Sequence, residues 1–245
     1  MTLRLTVRRQ AWLDHVHRVA GEIDGLLPVV KGNGYGFGRE VLHPIAAALA
    51  SGDVVCVGTI HELDFVAPGT RPLVLTPTLV APVSTDAILT VGSVEHVDAL
   101  RDWRGTVVLK VRSSMRRYGV PAAHVAALAE QATAAGLTVA GASMHLPLAG
   151  DDAGRRAEIE LALTALPAAT ALSVSHLSTT AFAALQAAHP DRPLQLRVGT
   201  ALWHGDKSTM HLGADVLAVH AVATGELVGY HHVAAPGDGH VVGSG

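Results

Sequence analysis

With 245 residues, 49% of them hydrophobic, the chain can bury a sizeable core and fits one large α/β domain or a barrel with a short appendage. Its 18 basic residues are scattered among 21 acidic ones, for a net charge of −3, so no massed positive face exists for a nucleic-acid backbone and a small ligand is the expected partner. The single cysteine, Cys56, excludes an intrachain disulfide, and no apolar stretch reaches the ~20 residues of a membrane span, so the expected setting is a reducing cytoplasm with no membrane contact.

Taken in order, short apolar, β-branched runs recur at Leu26 to Lys31, Val54 to Gly58, Leu73 to Thr76, Ile88 to Val91, Val107 to Val111, Val139 to Met144, Leu172 to Val174 and Leu194 to Val198. Between several of them lie helical patterns at Pro121 to Ala135, Asp151 to Leu166 and Thr179 to Ala188, whereas residues 66 to 87 are too proline-rich for clear helices. Continuous apolar strands alternating with helices predict an α/β fold with a parallel sheet, and eight such units predict a closed (β/α)8 TIM barrel. After Val198 the pattern changes. Ala214 to Val222 and Glu226 to Val233 read as strands joined by the turn Ala223-Thr224-Gly225, the first strands of a C-terminal β domain. The expected division is a barrel over residues 1–211 and a partial, truncated β domain over 212–245, because so short a segment cannot form a core of its own.

In such a barrel the chemistry sits at the C-terminal ends of the strands. Lys31, Lys110, Arg112, His145, Ser175, His176 and Arg197 close apolar runs there. Lys31 is followed at once by Gly32-Asn33-Gly34-Tyr35-Gly36-Phe37-Gly38, a loop with few side chains to block a ligand. An amine at a strand end can be partly desolvated, which favours its neutral, nucleophilic form. Arg117 and Arg197 could bind anions, and Thr179, Thr180, Gly199 and Thr200 lie where hydroxyls and free N–H groups could hold a phosphate. An amine beside a phosphate site suggests pyridoxal phosphate, whose aldehyde condenses with a lysine. The 15 histidines lack metal-ligand spacing, and the glycine loop lacks the order of a nucleotide-binding motif, so no metal is expected.

These residues fall into blocks that resemble the fold-type III pyridoxal phosphate enzymes, the alanine racemase family above all. Val29-Val30-Lys31-Gly32-Asn33-Gly34-Tyr35-Gly36-Phe37-Gly38 is similar to that family's cofactor-lysine motif, V-K-A-N-A-Y-G-H-G. Leu109-Lys110-Val111-Arg112-Ser113-Ser114-Met115-Arg116-Arg117-Tyr118-Gly119 resembles L-K-x-D-T-G-M-x-R-x-G, and Gly141-Ala142-Ser143-Met144-His145 resembles G-x-x-T-H. His176-Leu177-Ser178-Thr179-Thr180-Ala181 is a weaker match to H-x-x-N-S-A, and Leu196 to Gly205 is similar to V-R-x-G-I-x-x-Y-G. The resemblance implies that Lys31 links to the cofactor aldehyde and that Tyr35, Thr180, Gly199 and Thr200 hold the phosphate. It further implies that Arg197 faces the pyridine nitrogen with His145 in the network behind it. Arg117 would then lie near the substrate carboxylate, and Lys110 matches a lysine that is carbamylated in some racemases. An always-charged guanidinium at the ring nitrogen leaves the cofactor a weaker electron sink, which favours brief proton removal and return.

The chain also departs from that pattern. Gly32 and Gly34 stand where the family has alanines, and Arg112-Ser113-Ser114 stands for D-T-G. Racemisation needs a base on each face of the substrate carbon, and Lys31 serves one. In the family the second is a tyrosine of the C-terminal β domain, and none of Tyr35, Tyr118 and Tyr230 matches it. The leading expectation is therefore a homodimeric amino-acid racemase acting on a small amino acid such as alanine, with the second base absent from this chain. A non-catalytic pyridoxal phosphate carrier and a degenerate racemase-like scaffold are the alternatives.

Overall fold

The computed structural model describes residues 3–244. The chain forms two compact units: one spans Val16–Gly205, and the other joins residues 3 to 15 with residues 206 to 244. In chain order the elements begin with β1 (Leu3–Val7), α1 (Arg9–Gly21), β2 (Leu26–Pro28), α2 (Arg39–Leu49), β3 (Val54–Val57), a 3₁₀ turn (Ile60–Phe65), β4 (Arg71–Val74) and β5 (Ile88–Val91). There follow α3 (Val94–Ala99), β6 (Thr106–Val111), α4 (Val125–Ala134), β7 (Thr138–Met144), α5 (Asp152–Ala165), β8 (Leu172–Ser175), α6 (Thr179–Ala188), β9 (Leu194–Val198) and α7 (Thr200–His204). The last are β10 (Met210–Ala214), β11 (Val216–Val222), β12 (Leu227–Val228), β13 (Val233–Ala234) and β14 (Gly239–Ser244).

Strands β2 to β9 form one parallel eight-stranded sheet in the order β2-β9-β8-β7-β6-β5-β4-β3. Its edges meet through a parallel bridge between Val29 and Cys56, with the Val30 N–H donating to the Cys56 carbonyl at 2.8 Å, so the sheet is a nearly closed barrel. The eight apolar runs of the sequence are the eight barrel strands, each within a few residues. No helix forms between β4 and β5, in the stretch whose prolines argued against one.

Alternate residues of each strand face the barrel axis. Leu27, Val29, Cys56, Leu73, Ile88 and Val108 form a buried cluster that plugs the interior. Two residues further along their strands, in the same register, come Lys31 after Val29 and Lys110 after Val108. The polar site thus begins where the apolar plug ends. Helices α5 and α6 start where Asp151 and Ser178 accept the N–H groups of Gly154 and Ala181, side-chain caps that satisfy otherwise orphaned donors.

In the other unit β1 pairs antiparallel with β10, from Leu3 opposite Ala214 to Val7 opposite Met210. The boundary read at 211/212 falls inside β10. The expected pairing of Ala214–Val222 with Glu226–Val233 does not form. The second segment breaks at Gly229 and His232, both at positive φ (70° and 47°), and folds back as the short pair β12–β13. The partner of β11 is instead β14, which its glycines at 239 and 243 concealed from a search for continuous apolar runs. No helix among the described residues is long and apolar enough to cross a membrane.

Candidate functional site

A cavity of about 560 Å³ opens at the C-terminal end of the barrel strands, within the Val16–Gly205 unit. Lys31, Tyr35, Lys110, Arg117, His145, Arg197, Gly199 and Thr200 all line it, although they come from strand ends and loops nearly 170 positions apart. Its walls carry five basic side chains, Lys31, Lys110, Arg117, Arg155 and Arg197, and no acidic side chain among the described residues. An arrangement of this kind favours a ligand with more than one negative group.

The two buried basic groups of the cavity are Lys110 and Arg197. Lys110 Nζ donates to Ser143 Oγ at 3.1 Å, and burial, then the charges of Arg197 and Arg117, hold its pKa well below the usual lysine range. Arg197 Nη1 donates to the Ser173 carbonyl (2.7 Å) and hydroxyl (2.5 Å), and Nη2 donates to the Met144 carbonyl at 2.7 Å. Burial lowers its pKa to about 10, so it stays charged at neutral pH, with Nε free to donate. Lys31 itself is exposed. The desolvated amine of this cavity is therefore Lys110, one strand-layer feature that the expectation had placed on Lys31.

Neutral histidines complete the floor. Ser175 Oγ accepts the Leu146 N–H at 3.3 Å and lies 2.8 Å from His145 Nδ1, a hydrogen bond that ties the imidazole to the end of β8. Burial, then Arg197, His176, Lys110 and Arg117, push the His145 pKa down to about 3. His145 is thus uncharged at neutral pH. Tyr35, at φ 54°, has its pKa pushed up to about 12 by burial and then by Cys56, so its hydroxyl keeps its proton. That hydroxyl closes over Gly199: a Cβ there would sit 1.9 Å from it, so any larger residue would have to displace the Tyr35 ring.

The loops are tied down by carboxylates outside the cavity. Glu62 Oε2 accepts the N–H groups of both Gly32 (3.1 Å) and Gly58 (3.0 Å), fastening the residue after Lys31 to the end of β3. Glu158 accepts the Ser114 N–H and hydroxyl, and Ser113 Oγ donates to the His145 carbonyl, which together anchor the loop bearing Arg117. Glu62 went unseen in the sequence because it acts on main-chain groups 30 residues away. Replacing it with alanine should raise amide hydrogen exchange at Gly32 by roughly 10- to 100-fold, since a hydrogen bond to a charged group is worth about 1.5–3 kcal/mol. Glu62→Gln, which keeps an acceptor oxygen, should restore most of the protection; equal exchange in all three proteins would sink this role.

Two of the phosphate candidates are not brought to the cavity. Thr180 is exposed on the first turn of α6 and is absent from the lining, and the Thr179 hydroxyl donates instead to Glu22 at 3.1 Å. Arg112 is exposed and also lies outside the lining. Conversely His204, not anticipated, lines the cavity with its ring 6.0 Å from that of Tyr35 and 5.2 Å from that of Phe37.

Fold and cavity together define a parallel β/α barrel with a cavity at its strand ends lined by amines and guanidinium groups. Residues 8–207 match the sequence model of the family described as "Alanine racemase, N-terminal domain", and the chain belongs to that family. Among solved structures, alanine racemase from Acinetobacter baumannii is similar at 16% identity with a TM-score of 0.69, covering 99% of this chain and 75% of that one. Lysine/ornithine decarboxylase from Vibrio vulnificus, solved with cadaverine, is similar at 12% identity and a TM-score of 0.64, over 91% of this chain and 69% of that one. SrLDC, solved in complex with PLP and cadaverine, is similar at 16% identity and 0.63, over 89% and 65%. At these identities the likeness is one of fold. No curated protein matches the chain.

Proposed function

We propose that the chain binds pyridoxal 5′-phosphate and acts as an alanine-racemase-like isomerase of a small amino acid. The observation that carries this reading is the cavity itself: an accessible amine, Lys31, at the rim of a pit with five basic side chains and no acidic one among the described residues. An anionic aldehyde and an amino-acid carboxylate together match that charge. Membership of the alanine racemase N-terminal family and the PLP printed for SrLDC support the choice of cofactor.

The donor set suits the group. Lys31 is the accessible nucleophile, the protonated Tyr35 hydroxyl and the main chain at Gly199 and Thr200 would hold the phosphate, and the free Nε of Arg197 would meet the ring nitrogen. Bound there, pyridoxal phosphate supplies an electron sink for cleavage of a Cα–H bond. The protein's contribution is orientation and proton transfer. Arg197, held by the Ser173 and Met144 carbonyls, cannot swing away, and as a guanidinium it donates a hydrogen bond without giving up its proton. Arg117, exposed and lining the cavity, would receive the substrate carboxylate. Lys31 is the proton carrier on one side. The cofactor-carrier and scaffold readings explain neither Arg197 nor a guanidinium at the rim. A homodimer in the cytoplasm is the assembly and setting we expect.

The test is to add pyridoxal phosphate to the purified chain, remove the excess, and follow alanine in deuterated solvent by proton NMR. The proposal expects a lysine-linked visible absorbance and loss of the Cα proton signal. Cofactor uptake without that loss would leave only the carrier reading, and no uptake only the scaffold.

A further inference from the structure

A phosphate monoester carries about 1.5 to 2 negative charges at neutral pH, and the donors assigned to it above, the Tyr35 hydroxyl and the main chain at Gly199 and Thr200, carry none. The Thr180 hydroxyl that was expected to join them is not among the groups lining the cavity. Resting on the function proposed above, we infer that His204 is a further phosphate contact of this cavity. Its imidazole donates an N–H to a phosphate oxygen, and so selects the phosphorylated aldehyde over the form that ends in a free alcohol.

Two segments place the ring. Helix α7 begins at Thr200, directly after Gly199, and His204 follows Thr200 by four residues. That spacing puts both side chains on one face of the helix, and both line the cavity. From the other side, the loop after Lys31 brings two aromatic rings against the same imidazole. The Tyr35 ring stands edge-on to it, at 89° with 6.0 Å between centroids, and the Phe37 ring is tilted by 51° at 5.2 Å. Tyr35 is also the residue whose hydroxyl closes over Gly199. Tyr35, Gly199, Thr200 and His204 therefore gather at one end of the cavity.

The imidazole is held there, but its polar atoms are unused. It is half-buried, and neither ring nitrogen has a hydrogen-bond partner among the described residues. The buried side-chain nitrogens left without a partner among those residues belong to His43, so the nitrogens of His204 are open rather than sealed. An imidazole carries at least one N–H in either protonation state, and a hydrogen bond to an ionised acceptor is roughly twice as strong as a neutral one. The contacts with Tyr35 and Phe37 have already restricted the ring, so less ordering remains when an anion arrives.

His204→Phe isolates the role, because phenylalanine keeps a ring against Tyr35 and Phe37 and removes both nitrogens. The full chain and the variant are titrated to saturation with pyridoxal phosphate and, separately, with pyridoxal, which has the ring and aldehyde without the phosphate. Binding is read from the lysine-linked absorbance. The variant should bind pyridoxal phosphate roughly 10- to 100-fold more weakly than the wild type, the loss of one hydrogen bond to a charged group, and pyridoxal equally well. His204→Ala should show the same selective loss, and it carries the test if the phenylalanine variant does not fold. Unchanged affinity for pyridoxal phosphate in a folded variant overturns the phosphate contact. So does an equal loss for both ligands, which is what packing against Tyr35 and Phe37 alone would give. Either result leaves the cofactor reading standing. A wild type that develops the absorbance with neither ligand defeats that reading and this role with it.

Discussion

Lys31→Ala should abolish the visible absorbance that wild-type protein acquires with pyridoxal phosphate, and Cα proton exchange should fall at least as far as the roughly 10²–10⁴-fold that a general base contributes. The variant should still bind the cofactor loosely, because the Tyr35 hydroxyl, the Gly199 main chain and Arg197 remain in the cavity. The experiment has a built-in rival. Lys110 is a second amine in the same cavity, and burial favours its neutral form. Neutral amines are the ones that attack aldehydes. Lys110 is nevertheless committed to Ser143 and lies at the bottom of the pit, while Lys31 is exposed at its rim. If Lys31→Ala kept the absorbance and Lys110→Ala lost it, the link would belong to Lys110 and the roles assigned here would exchange. Lys31→Arg offers a second check, since it keeps the positive charge but cannot form the link, and it should behave like the alanine variant.

The acidic limb of the stability profile follows from the same electrostatics. His145 is held neutral down to about pH 3, whereas in the unfolded chain it takes up a proton near its ordinary value of 6.5. The contribution of His145 to stability is thus fully present above about pH 6.5 and is lost as the pH falls from there towards 3, at no more than about 1.4 kcal/mol per pH unit for one group. His176 and His43 are shifted in the same direction by burial and act with the same sign.

Much of this was legible because a parallel barrel writes itself in a simple code. Strands buried on both faces must be apolar throughout, so all eight stood out, and polar residues at their C-terminal ends had to be special. The period of two then carries Val29 to Lys31 and Val108 to Lys110, and it sets Ser143 and Ser173 opposite each other in adjacent strands. What lay hidden acts across the sequence. Glu62 sits on a short 3₁₀ turn and works through main-chain N–H groups, which leave no pattern in residue type. The burial of Lys110 and exposure of Lys31 depend on how far each side chain rises above the plug, a matter of geometry between strands. Thr180 shows the reverse: its block matches in order alone, and the residue is exposed on the first turn of α6 and is not among the residues that line the cavity. The register of β11 with β14 needed a partner that glycine obscures.

Trp203→Ala is expected to destabilise the barrel by about 3–5 kcal/mol, the usual range for removing a large aromatic from a core. Trp203 is fully buried, the largest side chain so placed, and its Nε1 donates to the Val29 carbonyl at 2.8 Å. At about 2–4 °C per kcal/mol for a protein of this size, the melting temperature should fall by roughly 10 °C. Two effects contribute, and Trp203→Phe separates them. Phenylalanine refills most of the volume but cannot donate, so it should lose only the cost of one unpaired buried carbonyl, about 1–3 kcal/mol. The distinction matters for the site as well as for the core. Val29 lies two residues before Lys31, and its N–H is held by the Val198 carbonyl at 2.8 Å, so the indole bond fixes the second polar group of the residue from which the Lys31 loop departs. The phenylalanine variant should therefore fold and take up pyridoxal phosphate, but with faster amide exchange over residues 30 to 32. If it melted with the wild type and exchanged no faster, the Val29 carbonyl would be satisfied without the indole, and Trp203 would contribute volume alone.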